Sequence, residues 1–91
     1  MQTEEPRVEK NNSRELLGKT VVTKSGKKFG NVYDLSFDIK TGELIHILLK
    51  NTTGFAEGLE LDRDKNGNFL IPYSSVLAVG DFVVVAEEDI V

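Results

Sequence analysis

From Tyr33 to Ile39, apolar and polar residues alternate without a break: Tyr33, Leu35, Phe37 and Ile39 against Asp34, Ser36 and Asp38. A repeat of two is the period of an extended strand with one face on a core. A helix cannot hold it, because it would spread the apolar side chains around its circumference. The segment therefore predicts a half-buried strand, and the flanking sequence agrees. Thr20-Val21-Val22-Thr23 is β-branched throughout and meets a turn at Ser25-Gly26. Lys40-Thr41-Gly42 joins the alternating strand to Leu44-Ile45-His46-Ile47-Leu48-Leu49 as a hairpin. Leu59 and Leu61 flank Glu60 as a short strand, and a turn over 62–68 follows. Phe69-Leu70-Ile71 is ended by Pro72, and Val76-Leu77-Ala78-Val79 joins Phe82-Val83-Val84-Val85 through a Gly80-Asp81 turn. No segment longer than one turn, Ser13 to Gly18, has a helical period. About six short strands at regular spacing predict an all-β barrel or sandwich.

The strand 44–49 is apolar on both faces: Ile45, Ile47 and Leu49 on one, Leu44 and Leu48 on the other with His46 between them. Its second face needs a cover, either another strand layer or another chain. Size points to the second, because a core in 91 residues is small and calls for a further staple. There is no cysteine, so neither a disulfide nor a Cys-ligated zinc can serve, and the single His46 cannot build a His-rich site. Oligomerisation remains, and a homodimer is expected, with Leu44, His46, Leu48, Phe82 and Val84 as candidate self-association residues. No apolar run approaches 18 residues, and Met1-Gln2-Thr3-Glu4-Glu5-Pro6 has no basic start or apolar stretch. A cytoplasmic protein with no membrane insertion and no signal peptide is expected.

The net charge of −4 is unevenly placed. Residues 1–15 hold three basic against four acidic side chains, 16–86 hold eight against eight, and 87–91 hold three acids alone. The first of these stretches is polar, with Pro6 and Asn11-Asn12-Ser13, and reads as a flexible tail. The last, Glu87-Glu88-Asp89-Ile90-Val91, reads as an acidic tail, a frayed end or a short peptide that adds to another surface. Within the neutral body the signs separate. Lys19, Lys24, Lys27 and Lys28 lie together without an acid, while Glu57, Glu60, Asp62 and Asp64 surround one Arg63. Two solvated loops would look the same, but opposite patches can steer a partner. Lys24, Lys27, Lys28, Glu57 and Glu60 are candidate partner-binding residues, as is Phe55 if it protrudes from the loop Gly54-Phe55-Ala56-Glu57-Gly58. The acidic balance argues against nucleic acid as the partner.

Asp62-Arg63-Asp64-Lys65-Asn66-Gly67 resembles the first half of a calcium loop, with Asp62, Asp64 and Asn66 as ligands. Tyr73 stands where that loop needs a bidentate Glu, and the flanks are strand-like, so an Asp/Asn/Gly turn explains the residues as well. No Ser or Cys is set to work with His46, and no catalytic residue, metal or cofactor is expected. Asn11-Asn12-Ser13 and Asn51-Thr52-Thr53 match glycosylation sequons by chance if the chain is not secreted.

Three stretches together resemble the PRC-barrel family. They are Leu16-Leu17-Gly18-Lys19-Thr20-Val21-Val22-Thr23 with Ser25-Gly26-Lys27-Lys28-Phe29-Gly30; Asn31-Val32-Tyr33-Asp34-Leu35-Ser36-Phe37-Asp38 with Thr41-Gly42-Glu43-Leu44; and Ile71-Pro72-Tyr73-Ser74-Ser75-Val76 with Val79-Gly80-Asp81-Phe82-Val83-Val84-Val85. The resemblance covers about residues 16–86 and implies a small, strongly bent β-barrel of about six strands that binds proteins and is not an enzyme. It divides the chain into an N-terminal tail over 1–15, the barrel over 16–86 and the acidic tail over 87–91. Among such domains, a stand-alone barrel with short tails is most similar to the archaeal cell-division type. That similarity implies an adaptor that associates with other PRC-barrel proteins and with the SepF anchor of the FtsZ ring, at the division site. The barrel of the ribosome-maturation protein RimM offers the alternative, an RNA- or ribosome-associated factor, for which Lys19 to Lys28 is the sequence support.

Overall fold

In the computed structural model, residues 13–90 are described. Seven strands form one sheet: β1 (Thr20–Thr23), β2 (Lys28–Phe37), β3 (Leu44–Lys50), β4 (Asp62–Arg63), β5 (Phe69–Pro72), β6 (Val76–Val79) and β7 (Phe82–Val85). A single helical turn, α1 (Gly54–Glu57), follows β3, and short 3-10 turns span Ser13–Leu16, Tyr73–Ser75 and Glu87–Asp89. The strands lie in the order β4-β5-β3-β2-β1-β7-β6. All neighbours are antiparallel except β1 and β7, which run parallel.

That order forces the sheet to curl. β5 and β6 stand five strand spacings apart in the sheet, about 24 Å on a flat surface. Only Tyr73–Ser75 joins them, and the step from Pro72 to Val76 reaches at most about 14 Å. The two ends must therefore approach each other. Ser75 sits at the closing point, fully buried, with its Oγ donating to the Pro72 carbonyl at 2.7 Å and its own carbonyl accepting from Ala86 N at 2.9 Å. No ladder between described residues joins β4 to β6, so the curled sheet is left open at that seam.

Four register shifts supply the bend, each passing over one residue: Phe29, Tyr33, Ile45 and Leu77. They also correct the reading of the alternating segment. Strict period two would put Val32 and Leu35 on opposite faces; the extra residue Tyr33 lets both reach the core, and Tyr33 itself is half exposed. The shift at Ile45 likewise lets Leu44 pack against the core that contains Ile47, three residues on. Ile39 is not in the strand; it lies in the connection after β2 and is 98% exposed. Likewise, Leu59 and Leu61 are core-packed residues before β4 rather than a strand, and the seventh strand, β4, falls where the sequence suggests a turn.

The core is built from inward positions on five strands: Val21, Phe29, Val32, Ile47, Leu49, Phe69, Ile71, Val83 and Val85. Leu16 closes one end and Ala56 of α1 another. Buried Thr23 shapes the β1–β2 turn, its Oγ1 accepting from Lys27 N at 3.1 Å.

Candidate interaction surface

The outward positions of the same strands are the candidate contact surface. On β1 and β7 the inward residues are Val21, Thr23, Val83 and Val85, all fully buried, so Thr20, Val22, Phe82 and Val84 face out. Parallel pairing sets Thr20 beside Phe82 and Val22 beside Val84. The row through Val22 continues to Lys28 on β2 and, through Val84, to Ala78 on β6. Phe82 is 50% exposed and Leu77 54%, and with Val79 they make the β6–β7 hairpin the densest stretch of exposed large apolar residues among the described residues. This hairpin also ends the sheet. Its edge strand, Val76-Leu77-Ala78-Val79, carries no charge, whereas the opposite edge, β4, is two residues long, with Asp62 and with Arg63 held 4.4 Å over the Phe69 ring. Short, charged edges resist pairing with other chains; an uncharged apolar edge invites it.

The second candidate face behaves differently. On β3, His46 lies between Ser36 and Pro72, and Leu48 between Asp34 and Leu70. Both are half-buried, and Leu44 is packed against the core, so the three do not form one exposed patch. β3 stands three places from β7 in a curled sheet. The structure therefore does not bring Leu44, His46 and Leu48 together with Phe82 and Val84, and one flat interface could not use both groups.

The charged loops meet at α1. Thr53 caps this turn, its Oγ1 accepting from Ala56 N at 3.2 Å and donating to the Lys28 carbonyl at 2.6 Å. Read from sequence as part of a chance sequon, Thr53 is in fact what fixes the loop to β2. Phe55 does not protrude. It is half-buried and stacked on buried Phe29, ring centroids 5.5 Å apart, with Lys27 Nζ 5.6 Å from its centroid. Glu57 accepts from Thr52 Oγ1 at 3.0 Å, and Glu60 is exposed beyond it. The basic hairpin and Glu57 thus flank the same turn. Lys24 is engaged elsewhere: its Nζ lies 2.7 Å from Glu88 Oε2, and Ser25 Oγ donates to Glu87 Oε1 at 3.3 Å. Hydrogen bonding to Glu88 holds the Lys24 ammonium above its ordinary pKa, and the same bond holds the Glu88 carboxyl below its own. The C-terminal acids accordingly form a turn on the domain, with Ile90 packed against the core.

Asp64 serves its own turn. Its Oδ1 accepts from Asn66 N and Asn68 N at 2.9 and 2.8 Å, and Oδ2 from Asn68 Nδ2 at 3.2 Å. Partial desolvation pushes this carboxyl up, but the hydrogen bonds from Asn68 and Asn66 outweigh it and hold it below the ordinary carboxylate range. This is Asx-turn chemistry. Among the described residues no group of three or more His, Asp and Glu is placed to hold a metal ion. Nor is any helix among them long and apolar enough to cross a membrane.

Two comparisons bear on this arrangement. The chain is 31% identical over 83 residues to the uncharacterized protein MJ1118 of Methanocaldococcus jannaschii, covering 91% of this chain and 89% of that protein. The profile of the PRC-barrel domain matches residues 9–89. That span takes in every strand, the closing turn at Ser75 and the C-terminal acids. With a curled, bulged, all-β sheet of the size the sequence motifs imply, the chain belongs to the PRC-barrel domain family.

Proposed function

We propose that this protein is a non-enzymatic interaction module that self-associates through the outer face of β1, β7 and β6. The observation that carries this reading is the β6–β7 hairpin: an uncharged sheet edge next to exposed Phe82, Leu77 and Val79. In a two-fold pair each copy would cover the other's Phe82 and Val84, supplying the staple that a small cysteine-free core calls for. Of the two candidate faces, this one is favoured over His46 and Leu48, which are half-buried and flanked by Asp34. Mass measurement in solution tests the reading. A dimer at high micromolar concentration that Phe82→Asp converts to a monomer supports it, and a strict monomer of the unaltered chain ends it.

The resemblance to archaeal PRC-barrel proteins of the cell-division type, together with a relative in an archaeon, supports the finer reading: a cytoplasmic adaptor of the FtsZ/SepF machinery that binds SepF or other PRC-barrel proteins. Affinity purification from the native cell checks it, with recovery of SepF or FtsZ expected. The alternative, an RNA- or ribosome-associated factor, draws on Lys19 to Lys28. Lys24 is already engaged by Glu88, which leaves this reading the weaker one. Steep salt-dependent RNA binding would favour it.

A further inference from the structure

The β1–β2 turn meets two carboxylates of the same chain, Glu87 and Glu88. Thr23, Lys27 and Gly26 close it by backbone bonds: Thr23 N to Lys27 O at 2.8 Å and Gly26 N to Thr23 O at 2.9 Å. The buried Thr23 Oγ1 lies 2.9 Å from Ser25 Oγ and fixes that hydroxyl at the surface. Lys24 N is bound to the Val85 carbonyl at 3.2 Å, which anchors the base of the turn to β7. Lys24 and Lys27 lie in this turn and Lys28 opens β2 directly after it; Lys27 Nζ stands over the Phe55 ring, and among the described residues Lys27 and Lys28 meet no carboxylate.

One occupant is already seated. The C-terminal acids lay successive carboxylates on the turn, Glu87 on Ser25 and Glu88 on Lys24, while Ile90 packs against the core just beyond. This segment gives the recognition pattern, consecutive acids followed by an apolar anchor. The seating is shallow: both side chains of the Lys24–Glu88 pair are more than half exposed, and such pairs are readily exchanged for another carboxylate.

We propose that this turn binds an acidic peptide segment of a partner protein, and that the chain's own Glu87–Asp89 turn holds the site until the partner displaces it. The partner segment presents two or more consecutive Glu or Asp residues and then an aliphatic residue. Lys27 and Lys28 add attraction that the chain's own tail leaves unused. An RNA or an anionic lipid surface fits less well, because the segment already seated offers successive carboxylates followed by an apolar side chain packed on the core. The proposal goes beyond self-association: Lys28 stands at the margin of the row through Val22 and Val84, and Lys24 and Ser25 lie in the turn outside that row.

The test uses the full chain and a fluorescein-labelled peptide repeating Glu-Glu-Asp-Ile three times, read by anisotropy at ~50 mM salt, where screening is weak. Saturable binding is expected, weakening as salt is raised. Glu87→Gln with Glu88→Gln loosens the competing tail and should tighten binding about two- to five-fold, the range set by a surface ion pair. Lys27→Gln with Lys28→Gln leaves the tail contact in place and should weaken binding by at least about five-fold. Phe82→Asp should leave peptide binding unchanged, so failure of self-association and failure of this site are read separately. The proposal is overturned if the double Gln variant of the acids shows no saturable binding up to ~1 mM peptide or binds more weakly than the unaltered chain. It is overturned equally if loss of Lys27 and Lys28 has no effect, or if anionic vesicles or polyuridylate bind while the peptide does not.

Discussion

Gly30 offers the sharpest test of how the sheet is bent. It lies on β2 directly against the end of β3, with φ at +155°. A Cβ placed there would stand 2.7 Å from the Lys50 carbonyl oxygen, 3.2 Å from Thr52 Cα and 3.3 Å from the Asn51 carbonyl oxygen. All three are backbone atoms, so no side-chain rotation relieves the clash. Relief requires Lys50 to move away, and Lys50 pairs with Asn31 in the β2–β3 ladder. Losing or stretching one or two ladder bonds costs about 1–2 kcal/mol, and an L-residue at this φ adds about 1–2 kcal/mol. Gly30→Ala is therefore expected to cost about 2–4 kcal/mol, which at 4–8 °C per kcal/mol is a fall in Tm of roughly 10–30 °C. Gly80→Ala is the control: no heavy atom lies within 4 Å of its added Cβ and its φ is not in the left-handed region, so a change within about 0.5 kcal/mol is expected. Urea unfolding followed by circular dichroism measures both. If Gly30→Ala melts within about 0.5 kcal/mol of the unaltered chain, the close approach of β2 to residues 50–52 is not as described.

Phe55→Ala removes the ring stacked on Phe29 and under Lys27, and should cost about 1.5–3 kcal/mol in the same assay; a neutral result would mean that the ring is free. Asp64 has its pKa lowered by its turn, so its contribution is complete above the ordinary carboxylate value near ~4 and is lost as pH falls through the lowered value. Asp64→Asn should therefore lower Tm at neutral pH and flatten its decline in acid. Because that carboxylate is occupied by Asn66 and Asn68, calorimetry with millimolar calcium should give no heat. For Lys24 and Glu88 the signs are opposite: the raised lysine contributes until pH rises through its folded pKa, and the lowered acid contributes until pH falls through its own. The tail contact should hold across neutral pH and be released only at the acid and alkaline extremes, as backbone NMR shifts of residues 86–90 would report.

Strand existence was legible because β-branched runs and turn residues are local signals. The runs at 20–23, 69–71, 76–79 and 82–85 lie on strands β1, β5, β6 and β7. Facing was less legible, because it depends on bulges, and a bulge leaves no periodic mark. Tyr33 and Ile45 each continue an apolar pattern, and each is the residue passed over in the ladder. Gly30 carried the one local hint of a close approach, yet what it approaches is 20 residues on. The loop chemistry was legible only in part. The Asp64 turn can be read from its Asp, Asn and Gly, but the loop Gly54-Phe55-Ala56-Glu57-Gly58 does not reveal whether Phe55 projects or packs. Its partner Phe29 is set by a bulge in β2, and its helix by a Thr53 cap whose other bond goes to Lys28. The contact between residues 24–25 and 87–88 joins segments more than 60 residues apart, and nothing in either segment alone announces it.

The same curl that makes the core also decides which surfaces are available for partners. Joining β5 to β6 through three residues spends the inward face of nearly every strand on one small core. What remains for contact is the outward row, and its character changes across the sheet. Across β2, β3, β5 and β4 it runs Asp34, Leu48, Leu70, Asp62, apolar in the middle and acidic at both ends. On β2, β1, β7 and β6 it runs Lys28, Val22, Val84, Ala78, basic at one end and open at the other. A copy of the chain that docks on the second row therefore has an uncharged margin at β6 over which to extend, and a basic margin at Lys28 where a different, acidic partner can lie alongside it. The first row offers no such margin. The direction in which this small domain can assemble thus follows from which end of the sheet received charge and which did not.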